Sequence, residues 1–217
     1  MFVFVRGLFG SLSIMLGYFP AAVTFGLLST VMGFSALETI LVSALIFAGS
    51  SQFALITLFG ESLVSAIFIP LFMNLRHIIY SCITSQRVKL EKPYLTAFGL
   101  TDEVFATSLN GPPSEEYIWG LELGGYTAWV LGTVLGALGG KVIMTSQLLS
   151  KSLLFSLTLL FFILLISRLN LKQLFCAIIS GLLCWPFIQW RNFSLGLILS
   201  SLVVPMIMVF FDKEEKM

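Results

Sequence analysis

What most constrains this chain is a succession of apolar runs with almost nothing ionisable inside them. Runs near 8–32, 35–59, 62–84, 117–139, 148–167, 171–189 and 194–211 are each long enough, at about 1.5 Å per helical residue, to cross roughly 30 Å of hydrocarbon. In lipid every backbone amide and carbonyl must find its partner within the protein, so runs of this length are read as helices. With 58% hydrophobic and 11% charged residues among 217, and a mean hydropathy of +1.00, no soluble domain can be fitted around them. The expected fold is an all-α polytopic integral membrane protein of about seven transmembrane helices, some broken or re-entrant, forming a single transmembrane domain over 1–217.

Formal net charge is +1, which gives no electrostatic footprint for nucleic acid, and the charges cluster at the ends of the runs. Cys82, Cys176 and Cys184 lack CxxC spacing and lie in apolar surroundings, so they imply neither a disulfide framework nor a metal site. No GxxxxGK[ST] phosphate loop is present, and neither nucleotide nor any other cofactor is implied. The N-terminal MFVFVRGLFGSLSIMLGYFPAAV continues its apolar stretch past Ala22 and is read as retained first-span sequence.

The stretch 93–110, PYLTAFGLTDEVFATSLN, carries two adjacent acids and is read as re-entrant or interfacial. With that stretch not crossing, Arg87, Lys89, Lys92, Arg168, Lys172, Lys213 and Lys216 share one face, while Arg6, Lys141, Lys151 and Arg191 share the other. Positive-inside bias then places the N-terminus outside. GYFPAAVTFGLL (17–28) echoes GYTAWVLGTVLG (125–136), and in this arrangement the two crossings run in opposite directions. That is the sense of an inverted repeat, although two glycine-rich segments also match by chance.

Polar groups interrupt the runs at a few places. FMNLRHIIYS (72–81) puts Asn74, Arg76 and His77 in mid-run, with Arg76 about 15 Å from the nearer end, beyond easy snorkelling. An ionisable group at that depth costs several kcal/mol and more often lines a substrate or ion route than knots helices together. His77 is also able to carry a proton near neutral pH. In FAGSSQFAL (47–55), small residues permit either close packing or a backbone break that binds a ligand, and Gln52 needs a partner in hydrocarbon. In GYFPAAVTFG, Pro20 either kinks a continuous helix or marks a discontinuous one whose half-helix N-terminus faces an anion. Thr101, Asp102 and Glu103 read either as a helix cap with acids at the positive dipole end or as partners for Arg76 and a substrate ammonium. Gly132, Gly136 and Gly140 recur at every fourth position, a spacing for close helix approach. CWPFIQWR (184–191) has the look of an interfacial anchor.

Taken in order, PAAVTFG, AGSSQF, NLRHIIY and LTDEVFA make the chain resemble the AzlC family of branched-chain amino-acid exporters, with the motifs concentrated in residues 17–110. The resemblance implies a bacterial cytoplasmic-membrane protein that exports valine, leucine and isoleucine with a small AzlD-type membrane subunit. Residues matching the family's motifs are Pro20, Phe25, Gly26, Phe47, Gly49, Gln52, Asn74, Arg76, His77, Thr101, Asp102 and Glu103.

The leading expectation is a secondary transporter, not an enzyme, with a site near the membrane midplane. Substrate contacts are expected from Pro20, Phe25, Gly26, Phe47, Gly49, Ser50, Gln52, Asn74 and Arg76, and a proton or charge relay from His77, Asp102 and Glu103. One alternative is an intramembrane hydrolase with Ser50 or Ser51 as nucleophile and His77 as base, although Arg76 beside the histidine disfavours the imidazolium that a base must become. Another is a membrane assembly subunit without a substrate of its own.

Overall fold

The computed structural model describes residues 2–60, 62–144 and 171–189, together with positions 155, 196, 199–200, 203–204 and 206–207. Among the described residues the regular structure is helical, with no strand. They fall into two compact units, residues 1–160 and 161–217. The first unit holds α1 (Phe2–Gly10), α2 (Leu12–Val31), α3 (Ala36–Leu45), α4 (Gly49–Phe59), α5 (Leu63–Met73), α6 (Arg76–Arg87), α7 (Pro93–Gly99), α8 (Asp102–Ser108) and α9 (Glu115–Met144). The second contains α10 (Leu171–Gln189), where the Cys184 thiol lies 3.4 Å from the Ser200 hydroxyl. The expected span 148–167 falls almost wholly, and 194–211 mostly, outside the described residues.

Among the described residues of the first unit, three stretches are long and apolar enough to cross a membrane: Leu12–Val31, Leu63–Arg87 and Glu115–Gly139. α1 and α2 form nearly one rod, because Ser11 between them keeps helical dihedrals and its amide still bonds back to Gly7. α2 also runs unbroken through Pro20, so of the two readings of that proline the continuous helix holds and no break forms at Pro20–Gly26. A proline removes a single intrahelical bond, and tight packing against α9 holds the turns on either side of it. A Cβ at Gly132 would fall 2.6 Å from the Phe19 carbonyl oxygen, and one at Gly136 would strike the Val23 carbonyl. Such backbone-to-backbone approach is what the glycine spacing predicted, and with lipid on both sides it is dispersion that drives it. The surroundings of Gly140 are outside the described residues.

The contacts also fix chain direction. Gly7 meets Tyr117, Ser11 meets Gly124, Phe19 meets Gly132 and Val23 meets Gly136, so α1–α2 and α9 run side by side in the same direction. The expected antiparallel pairing of 17–28 with 125–136 is therefore overturned.

The stretch 35–59, expected to cross, instead folds back on itself. Thr39 bonds Ser29 at the far end of α2, Ser43 bonds Thr133, and the Ala44 carbonyl accepts from Tyr126, so α3 descends toward the middle of α9. α4 then climbs back: Gly49 sits on Trp129, Phe53 on Phe25, and Phe59 packs on Phe34 at the entrance, with ring centroids 5.0 Å apart. Two collinear helices of these lengths would separate those ends by about 30 Å. α5 and α6 then make the return crossing, loosened at Asn74–Leu75 where His77 and Ile78 bond three residues back instead of four.

The second hairpin enters from the opposite end. Thr96 on α7 bonds Glu115, Gly99 abuts Glu122, and Thr101 reaches Tyr18; α8 then descends, with Phe105 stacked on Tyr80 and the Leu109 carbonyl bonded to Arg87. The re-entrant reading of 93–110 thus describes this segment. Hairpin plus crossing occurs twice, α3–α6 and α7–α9, with opposite entry, which is the element order of an inverted repeat. The new path also puts Arg6 at the same end as Arg87, Lys89 and Lys92, reversing the expected charge grouping, because a hairpin that was counted as a crossing changes the parity of every later segment.

Candidate functional site

Both hairpins turn on a three-residue bend. The Ala48 amide bonds the Ile46 carbonyl at 2.7 Å, and the Thr101 amide bonds the Gly99 carbonyl at 2.9 Å about Leu100, whose φ of −79° and ψ of 69° are those of an inverse γ-turn. The tips meet at mid-depth, where Phe47 lies 6.4 Å from Phe98 by ring centroids and packs edge-on to Tyr18 and Tyr126.

At this meeting point Arg76, the first residue of α6, pairs with Asp102, the first residue of α8, at 2.8 Å. Its other terminal nitrogen donates to the Ser50 hydroxyl in the first turn of α4 at 2.9 Å. Ser51 donates to the Asn74 side-chain oxygen at 2.7 Å, which ties the loosened turn of α5–α6 to the first hairpin. The pair retains access, with 37% of the Arg76 side chain and 26% of the Asp102 side chain exposed. Arg76 Nε has no partner among the described residues. One face of the fork is thus spoken for and hydrogen-bonding capacity is left over.

The neighbouring polar groups are sealed. Gln52 is fully buried: its amide nitrogen donates to the Ile46 carbonyl, which also accepts the Ala48 amide of the bend, and its oxygen accepts from the Trp129 indole at 2.9 Å. Gly49 makes room for that indole, since a Cβ there would fall 2.6 Å from the ring. Glu103 is buried and accepts from the Tyr18 hydroxyl, which also lies 2.7 Å from the Thr101 hydroxyl.

The expected site residues therefore separate into groups. Phe47, Gly49, Ser50, Gln52, Asn74, Arg76, Asp102 and Glu103 gather around the two tips. Gly26 packs against α9, Phe25 is buried against Phe53, and Pro20 lies within the unbroken α2. His77 stacks on Tyr80, with centroids 5.9 Å apart, and no hydrogen bond joins it to Asp102, to Glu103 or to either serine among the described residues. The Ser–His pairing that the hydrolase alternative needs is not assembled in this geometry. Among the described residues no group of His, Cys, Asp and Glu is arranged to hold a metal ion.

A family model described as AzlC protein matches residues 13–143, the segment that contains both hairpins and both tips. The chain belongs to the AzlC family. An uncharacterized membrane protein of Archaeoglobus fulgidus is 47% identical over 94% of each chain. The inner membrane protein YgaZ of Escherichia coli is 37% identical over 80% of this chain and 76% of its own. The branched-chain amino acid transport protein AzlC of Bacillus subtilis is 27% identical over 79% of this chain and 70% of its own. No solved structure matches this AzlC-family chain.

One charged residue near the tips escaped the sequence reading. Glu122, on α9, is buried against Gly99, and the signal was its position as a lone acid inside the expected span 117–139.

Proposed function

We propose that the protein is a secondary transporter that moves branched-chain amino acids out of the cell, with the substrate seated at the two hairpin tips. The observation that carries this reading is a partly exposed Arg76–Asp102 pair at mid-depth, where an ion pair has no packing role that apolar side chains could not fill. A zwitterion carries the same two charges. Its carboxylate takes Arg76, helped by the N-terminal turn of α4 at Ser50, and its ammonium takes Asp102, so the internal pair opens as the ligand enters. Phe47 and its aromatic neighbours offer an apolar wall for a branched side chain.

Hairpins entering from opposite ends suit alternating access, since movement of either one exposes the same pair to one side. Arg6, Arg87, Lys89 and Lys92 at one end favour placing that end, and the N-terminus, in the cytoplasm of a bacterial-type inner membrane. The name of the Bacillus subtilis relative supports the substrate class, and an AzlD-type small subunit is the partner the family likeness suggests. The test is efflux of radiolabelled leucine, valine and isoleucine from preloaded vesicles, with and without a co-expressed small subunit. Efflux that disappears with Arg76→Ala supports the reading, and a folded wild type that moves none of the three, with or without the subunit, defeats it.

A further inference from the structure

A cavity of about 360 Å³ lies between α1, α7 and α9, walled by Phe4, Phe47, Phe98, Trp119 and Tyr126, with Glu122 among its lining residues. Neither Arg76 nor Asp102 lines it. Glu122 is 8% exposed and makes no hydrogen bond or ion pair among the described residues, and its Oε1 is wholly enclosed without a partner. The hairpin backbone comes up to the carboxyl itself: a Cβ at Gly99 would fall 2.5 Å from its carboxyl carbon. Glycine at that position therefore preserves the acid's place in the wall.

An isolated carboxylate in such surroundings is costly, and a cation brought beside it offsets that cost. The charged groups nearby do not supply that cation. Glu115, two turns earlier on α9, is engaged by the Glu91 and Lys92 amides and by Thr96, and the Lys92 ammonium rests 5.6 Å over the Trp119 ring. The Tyr126 hydroxyl is spent on the Ala44 carbonyl, while α1 and the first tip contribute only Phe4 and Phe47 to the wall. Aromatic faces attract cations, and an acid among them neutralises one. An anionic ligand has nothing here to receive it.

We propose that this cavity binds an apolar primary ammonium, and that Glu122 is its counter-ion and gives up its proton as the ligand arrives. The neutral acid and R–NH3+ become a carboxylate–ammonium pair, and the proton leaves to water, so charge balances. The site shares the Phe47–Phe98 wall with the substrate reading but uses neither Arg76 nor Asp102.

The experiment titrates 3-methylbutylamine into purified protein in weakly buffered detergent solution, reading tryptophan fluorescence and proton release, with 3-methylbutyrate as the anionic control. The expected result is saturable amine binding that releases a proton for each amine, no binding of the carboxylate, and binding roughly 100-fold weaker without proton release in Glu122→Gln. Arg76→Ala should bind the amine as wild type does, which separates this site from the proposed substrate site. Equal amine binding by wild type and Glu122→Gln overturns the proposal, as does a wild type that melts cooperatively and binds no amine. Should Glu122→Gln fail to fold, Glu122→Asp and the wild-type proton release decide: binding without release overturns it.

Discussion

The two hairpins enter from opposite ends and turn on similar three-residue bends, but they use their polar groups differently. At the first tip the protein consumes them: Gln52 closes the bend and Trp129 closes Gln52, all of it buried. At the second tip Asp102 is held by a cation from α6, and both members of the pair keep some exposure. One architecture laid down twice thus carries a sealed polar cluster at one copy and a partly exposed ion pair at the other. Each crossing also donates to the other repeat's hairpin, Arg76 to Asp102 and Trp129 to Gln52, so the repeats are interlocked where they differ.

The sharpest way to break this comparison is to label single cysteines from one side of sealed vesicles, with the native cysteines replaced by serine. Ser35→Cys and Ser62→Cys, at the mouth of the first hairpin, should react from the same side, and Glu91→Cys from the other; labelling of Ser35→Cys and Ser62→Cys from opposite sides would make 35–59 a crossing. Next in size is the split between the tips. Arg76→Ala should lower leucine efflux by about 100-fold and Asp102→Asn by about 10-fold or more, each with little change in melting temperature. On the sealed side the effect moves to stability. Trp129→Phe should cost about 1–3 kcal/mol by leaving the Gln52 oxygen buried and unpaired, and Gly49→Ala should cost a similar amount through its clash with the indole, both read as denaturation midpoints with leucine affinity retained in the folded fraction. Smallest is Ser50→Ala, which removes a neutral partner of Arg76 and should weaken leucine binding about 5-fold.

The sequence was legible where physical cost is local. A mid-run arginine, two adjacent acids and glycines at every fourth position each announced a burial problem, and each sits where that problem is solved: Arg76 on Asp102, 93–110 folded back, Gly132 and Gly136 against α2. The path of 35–59 was not legible, because two half-helices that turn at mid-depth have the same length and hydropathy as one crossing helix. Only FAGSS hinted at the turn, and small residues serve packing equally well. That one misreading propagated to the direction of α9 and to the sidedness of Arg6. Pro20 left two readings open for a related reason, since the sequence does not reveal that α9 clamps the helix on both sides of it. Glu122 was passed over because one acid in a 23-residue apolar run, 117–139, is easily taken for an end residue.

The central claim is that the Arg76–Asp102 pair is where an amino acid binds. The most direct measurement is equilibrium binding of radiolabelled leucine to purified wild type, Arg76→Ala and Asp102→Asn, with melting curves for all three. Saturable binding by wild type that is lost in both cooperatively melting variants is the predicted result; a variant that binds leucine as tightly as wild type would contradict it.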